Sequence, residues 1–164
     1  MRPRPLLPGP GQRSVWDFPR PPAVEHEGAR VRISHAEDDL ADTTSAWRVL
    51  ETSHPPVYYL PPADVATSRL VESGSTSFCE FKGVARYWHV RIGDDLLRDV
   101  AWSYPDPSPG YEALVGHLAF YAGPFDSCTV GDEQATPQPG GFYGGWVTSG
   151  YAGPFKGEPG TTGW

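Results

Sequence analysis

Polar and apolar residues alternate over several stretches of the chain. In ARVRISH (Ala29–His35), Val31 and Ile33 alternate with Arg30 and Arg32, and a period of two marks a strand with one buried face. The strongest alternation is VARYWHVRI, where Trp88, Val90 and Ile92 oppose Tyr87, His89 and Arg91. GDD then turns the chain and LLRDVAWSY returns, which predicts a β-hairpin. LADTTSAWRVLET predicts a second strand followed by a third strand or one helical turn. Val57–Leu60 is bracketed by prolines, which cannot donate to a ladder, so it predicts an edge strand or one beside a bulge. PPADVATSRLVES, with Pro62 near its first turn, predicts a short helix. YEALVGHLAFY puts Leu114, Val115, Leu118 and Tyr121 at helical spacing and predicts one substantial helix. The fold class expected is mainly β: a small twisted or barrel-like antiparallel sheet, one substantial helix and a Gly/aromatic C-terminal tail.

Composition adds the organisation. The 164 residues include 19 Gly and 19 Pro, which favours turns, while 13% aromatics argue against a disordered chain. A Pro/Gly/Arg-rich disordered leader is expected over 1–13, a single β-rich domain over 14–130, and a Gly/Pro/aromatic tail over 131–164. Trp16 and Phe18 are suited to anchor the arm that follows the leader. In the tail, Phe142, Tyr143, Trp146 and Trp164 are suited to pack on the domain or on a partner. YAGPF recurs at Tyr121–Phe125 and Tyr151–Phe155, and FKG at Phe81–Gly83 and Phe155–Gly157. Nothing else repeats at that spacing, so the recurrence reads as reuse of a turn.

Charge narrows the partners. A net charge of −7 without a Lys/Arg run disfavours a nucleic-acid partner. No stretch approaches the roughly 18 apolar residues that span a bilayer, so no membrane partner is expected. The first residues lack the apolar core of a secretory signal. Cys79 and Cys128 read as free thiols, and a cytoplasmic location is expected.

Candidate chemistry collects in two places. In ETSHPPVYYL (Glu51–Leu60), His54 precedes proline and is pushed out of the α region. An extended chain places Glu51 with Ser53 and Thr52 with His54, whereas a helical turn brings Glu51 to His54. The alternative role for these polar groups is to satisfy buried backbone. In CEFKG, Lys82 is suited to reach into a pocket or bind an anion, since lysine does not fill a core without a partner. Cys79 is either a nucleophile favoured by that lysine or a small buried apolar group. Tyr58, Tyr59, Tyr87, Trp102 and Tyr104 flank both motifs and are suited to wall a cavity, with Trp88 assigned to the core. Glu51 and His54 are therefore the expected acid/base groups and Lys82 the charge stabiliser. Ser53, Tyr58, Cys79, Tyr87 and Trp102 are the expected ligand contacts. His89 and His117 read as surface or packed residues. No metal and no cofactor is expected, because CxxC, HxH, HExxH, GxxxxGKS/T and GxGxxG are all missing. Nor is there a GxSxG elbow to make Ser53 a nucleophile.

SVWDFPRPP, ETSHPPVYYLPPADV, CEFKGVARYWHV, AWSYPDPSPG and LVGHLAFY, in that order, resemble a bacterial and fungal family known as domain of unknown function 427. The resemblance covers about Ser14 to Tyr121, and the tail GGFYGGWVTSGYAGPFKGEPGT is similar to that of several members. It implies a compact β-rich domain and no agreed activity. The nucleotidyltransferase label sometimes given to the family implies clustered carboxylates for Mg²⁺ and a phosphate cradle. The acidic pairs Asp38–Asp39 and Asp94–Asp95 fall instead in predicted turns. Three functions are thus expected in descending order. The first is a pocket protein that either binds a small polar-aromatic molecule or acts on it as an enzyme, with Glu51 or His54 as acid/base. The second is a non-catalytic module binding a partner or a second copy through exposed aromatics, and the third is a nucleotidyltransferase.

Overall fold

Period-two alternation becomes a set of open, mostly antiparallel sheets. The computed structural model describes residues 2–164. Its first strands are β1 (Arg13–Ser14), β2 (Ala23–Glu27), β3 (Val31–His35), β4 (Asp38–Thr43) and β5 (Ala46–Leu50). β6 (Val57–Tyr59) precedes three long strands, β7 (Leu70–Cys79), β8 (Gly83–Ile92) and β9 (Asp95–Ser103). The last are β10 (Leu118–Phe120), β11 (Ser127–Val130), β12 (Glu133–Gln134), β13 (Thr136–Pro137), β14 (Trp146–Val147) and β15 (Tyr151–Ala152).

β10–β9–β8–β7 forms one four-stranded sheet and β2–β5–β6 a three-stranded one. Leu60 and Leu118 join them by exchanging two backbone hydrogen bonds of 2.8 Å. Val57–Leu60 is therefore paired on both sides at its end, and not a simple edge. The β12–β11–β3–β4 sheet is separate, and none of the sheets closes on itself, so the barrel alternative gives way to packed open sheets.

The two faces of the joined sheets bury different sets. Tyr58, Leu118, Phe120 and Val90 face Val31, Ile33 and Cys128 of the third sheet in the larger core. Their neighbours Tyr59, Ala119 and Ala85 face the other way, with Val49, Trp102 and Tyr104. The tail enters the larger core. Trp146 is 1% exposed, its indole N–H donates to the Phe120 carbonyl at 2.8 Å, and its ring lies 5.3 Å from Tyr58. At the other end, β1 pairs in parallel with β15, and the Trp16 indole donates to the Pro154 carbonyl at 3.0 Å. Leu6 N–H donates to the Gly153 carbonyl, so even the expected leader touches the tail.

Both predicted helices are corrected. YEALVGHLAFY makes a single 3₁₀ turn at Glu112–Leu114 and then strand β10. Gly116, at φ +66°, breaks the run between them, and an L side chain rarely adopts that conformation. Leu114 and Leu118 are buried four residues apart because a turn and a strand meet, not because a helix presents one face. PPADVATSRLVES holds two 3₁₀ turns, Pro62–Asp64 and Thr67–Arg69, before β7 begins at Leu70. Among the described residues no helix is long and apolar enough to cross a membrane.

Candidate functional site

β5 ends at Leu50, and the chain must reverse before β6. It does so in a tight turn: His54 N–H donates to the Glu51 carbonyl at 3.0 Å, and Ser53 sits at φ +71°. This is neither the extended chain nor the helical turn expected, because the positive φ of Ser53 makes it a β-turn, yet it brings Glu51 Oε2 to 3.6 Å from His54 Nε2. Arg20 lies 3.9 Å from the same carboxylate oxygen. Lys156 N–H donates to the Ser53 carbonyl at 2.9 Å, which ties the tail to the turn.

Gln138 fixes the imidazole. Its Oε1 accepts from Gly145 N–H at 3.0 Å, so its Nε2 is the donor end of the amide. Nε2 donates to the Lys156 carbonyl at 2.8 Å and to His54 Nδ1 at 3.0 Å. Nδ1 is thereby the acceptor, and the proton of the neutral ring resides on Nε2, facing Glu51. His54 is 8% exposed, and burial, followed by the charges of Lys156, Arg20 and Lys82, lowers its pKa to about 4. At neutral pH the ring is uncharged.

Lys82 arrives from the β7–β8 connection, where Gly83 at φ +105° turns the chain back. A Cβ on Gly83 would stand 3.2 Å from Ser108 Oγ, so the backbone packs closely there. Lys82 is 9% exposed, and its Nζ lies 5.9 Å from the centre of the Tyr104 ring. Burial disfavours its charge, but Tyr104, Cys79 and Glu51 more than offset this and hold its pKa above the usual lysine value.

Glu51, His54 and Lys82 line one hollow of about 500 Å³, within the range of small-molecule sites. Its wall is aromatic. The Trp102 indole donates to the Tyr59 hydroxyl at 3.3 Å, Trp102 and Tyr121 rings lie 4.8 Å apart, and Tyr87 hydrogen-bonds Ser77 at 3.0 Å. Burial pushes the Tyr59 and Tyr104 hydroxyls far above the usual tyrosine range and Tyr121 to about 12, so these hydroxyls stay neutral and can donate. The tail supplies the remaining side. Tyr143 stacks edge-on to His54 at 4.7 Å, and Lys156 Nζ lies 5.5 Å from the Tyr143 ring centre. A Cβ on Gly144 would stand 2.1 Å from Trp102, so only glycine lets the tail approach so closely. Phe78 and Phe142 stand at the rim, 74% and 75% exposed.

Of the expected ligand contacts, Cys79, Tyr87 and Trp102 line the hollow and Ser53 and Tyr58 do not. Tyr58 points to the opposite face of the sheet, against Trp146; its neighbour Tyr59 takes the position expected for it. Ser53 is fully buried beneath the turn, and its hydroxyl has no hydrogen-bond partner. Trp88 packs at the edge of the core and donates to Ser103 Oγ at 3.0 Å. His89 accepts from Asp99 N–H, and His117 lies against the Val115 carbonyl, each in local backbone contact. Among the described residues no three His, Cys, Asp or Glu side chains group as a metal site would need. A second depression, about 670 Å³, lies across the Gly140–Tyr143 segment beside Arg98, Asp99 and Pro137, and none of Glu51, His54 and Lys82 lines it.

A family model described as Domain of unknown function (DUF427) matches residues 23–131. The chain belongs to this family. No curated protein matches it. The matched segment carries Glu51, His54, Lys82 and the aromatic wall, while Gln138, Tyr143 and Lys156 come from the tail beyond it.

The tail residues are the ones sequence reasoning missed. One signal pointed to Lys156: it is the lysine of the second FKG, as Lys82 is of the first, and both line the hollow. Both following glycines have positive φ, +105° and +147°. The two copies differ in local structure, since Gly83 opens strand β8 and Lys156 sits in an isolated bridge, but each delivers a lysine to the same hollow. Gln138 carried no such mark, since its role depends on a contact with a residue 84 positions away.

Proposed function

We propose that this DUF427 chain is a small-molecule pocket protein that moves a proton on its ligand. The observation that carries the reading is the convergence of Glu51, His54 and Lys82, from separate segments, on one aromatic-walled hollow. Glu51 is the base: its carboxylate lines the hollow, 3.6 Å from Nε2 of the neutral His54. A neutral imidazole held by Gln138 serves as a hydrogen-bond donor rather than as a competing cation. When Glu51 takes a proton from the ligand, the electron pair left behind moves to a ligand oxygen, and Lys82 stabilises the negative charge there. Glu51 then returns the proton to a different ligand atom, so no external acid, base or oxidant is consumed.

A second reading rests on Phe78 and Phe142, two large apolar side chains left in water at the rim. They suit a non-catalytic module that binds a protein partner or a second copy. One experiment separates the readings. Cys128 is fully buried and Cys79 only partly so, and Cys79 lines the hollow, so N-ethylmaleimide should modify Cys79 alone and fill the hollow. Small molecules from cell extract that raise the melting temperature should lose that effect after alkylation, but not in maleimide-treated Cys79→Ser. A shift that survives alkylation places the ligand elsewhere and rejects the pocket. An extract that yields no stabilising molecule favours the module.

A further inference from the structure

We infer that the hollow takes a planar aromatic monoanion whose charge is held by Lys82 and the tail's Lys156. This deepens the reading of the hollow as a small-molecule site and rests on it. Lys82 is nine-tenths buried, yet neither it nor Lys156 forms an ion pair among the described residues; each instead lies over a tyrosine face. A lysine withdrawn from water calls for a counter-charge. Glu51 is the one carboxylate among the groups that act on Lys82, and it already has the Arg20 guanidinium 3.9 Å away. The open position for an anion is the hollow itself.

Both lysines line this one hollow: Lys156 lies over Tyr143, whose ring is 4.7 Å from that of His54, and Lys82 lies over Tyr104. Besides the neutral His54, the acidic and basic side chains that line it are Lys82, Lys156, Glu51 and Glu80, with Glu80 exposed and Glu51 beside Arg20. That balance suits one negative charge better than the two of a phosphate monoester. No arginine lines the hollow to offer a bidentate fork, the usual partner of phosphate. Neutral tyrosine hydroxyls add donors, and the Trp102–Tyr121 pair offers faces on which a flat ring system can stack. A cation would meet two ammonium groups. A volume of about 500 Å³ leaves room for two fused rings.

Three probes of one shape separate charge from fit: 2-naphthoate, 2-naphthamide and 2-naphthamidine carry −1, 0 and +1. Titration calorimetry on the full chain at pH 7.5 should show the acid binding about tenfold tighter than the amide, as a charge-assisted contact implies, and the amidine weakest. Lys82→Met and Lys156→Met should each weaken binding of the acid far more than that of the amide and so remove most of the preference, whereas Lys156→Arg should keep it. Circular dichroism confirms that each variant folds. If the amide or amidine binds as well as the acid, and Cys79 alkylation still abolishes binding, the hollow stands as a site and the anion assignment is overturned. If naphthoate binding survives alkylation, or none of the three binds, the anion assignment falls, and in the first case the site falls with it.

Discussion

At the scale of single residues, His54 is where pH enters. Its ordinary pKa of 6.5 falls to about 4 in the folded chain, chiefly through burial. Between these values the unfolded chain binds a proton that the folded chain does not, so stability rises with pH across that window. Acidification from pH 7 to 4 should therefore cost up to roughly 3 kcal/mol through this one group. Urea midpoints at pH 7 and pH 4.5 check it: His54→Gln, which keeps a neutral polar side chain, should show a shallower loss than the parent. Equal losses in both proteins would assign the acid sensitivity to other groups. That Glu51 and His54 stand close in one segment was readable in the sequence, but whether they meet was left open, because it depends on the positive φ that Ser53 adopts. The Tyr58/Tyr59 choice was not readable. Adjacent residues of a strand face opposite ways, and which faces the hollow depends on how β6 pairs with β5 and on the Leu60–Leu118 bridge.

At the scale of elements, the hairpin β8–β9 and strand β3 carry their alternation openly and were readable. The expected helix at Tyr111–Tyr121 was not, because a 3₁₀ turn followed by a short strand spaced its buried leucines as a helix would. Gly116 was the available warning. The tail is the element whose role most exceeds its sequence signal. Its Gly-rich segment has no alternation, yet Trp146 fills the larger core, and Gln138 and Lys156 complete the hollow. Removing so large a buried side chain leaves a cavity, so Trp146→Ala should lower stability by about 3–5 kcal/mol. That is a large part of the ~5–15 kcal/mol typical of a domain. Trp164→Ala, at a half-buried ring beside Trp16, should cost much less. Chemical unfolding of both variants gives the comparison, and a chain cut after Pro139 should lack a cooperative transition. A cooperative transition near the full-length midpoint would show that the tail is an accessory to the fold.

At the scale of the whole molecule, the two faces of the joined sheets divide the labour. One is packed solid against the third sheet and Trp146; the other is left concave, with charge and aromatic surface held in place but not filled. Preorganised side chains around empty space suit a ligand, since little ordering remains to oppose binding. Two indoles report on the two faces. The Trp102 N–H donates to Tyr59 in the hollow, and the Trp146 N–H donates to Phe120 behind the sheet. The most direct measurement is to follow both indole N–H signals by NMR as 2-naphthoate is titrated into the protein. A saturable shift of the Trp102 signal, with Trp146 unmoved, is the predicted result. A Trp102 signal that stays fixed while ligand binds, or that moves no more than Trp146, would contradict a ligand site in the hollow.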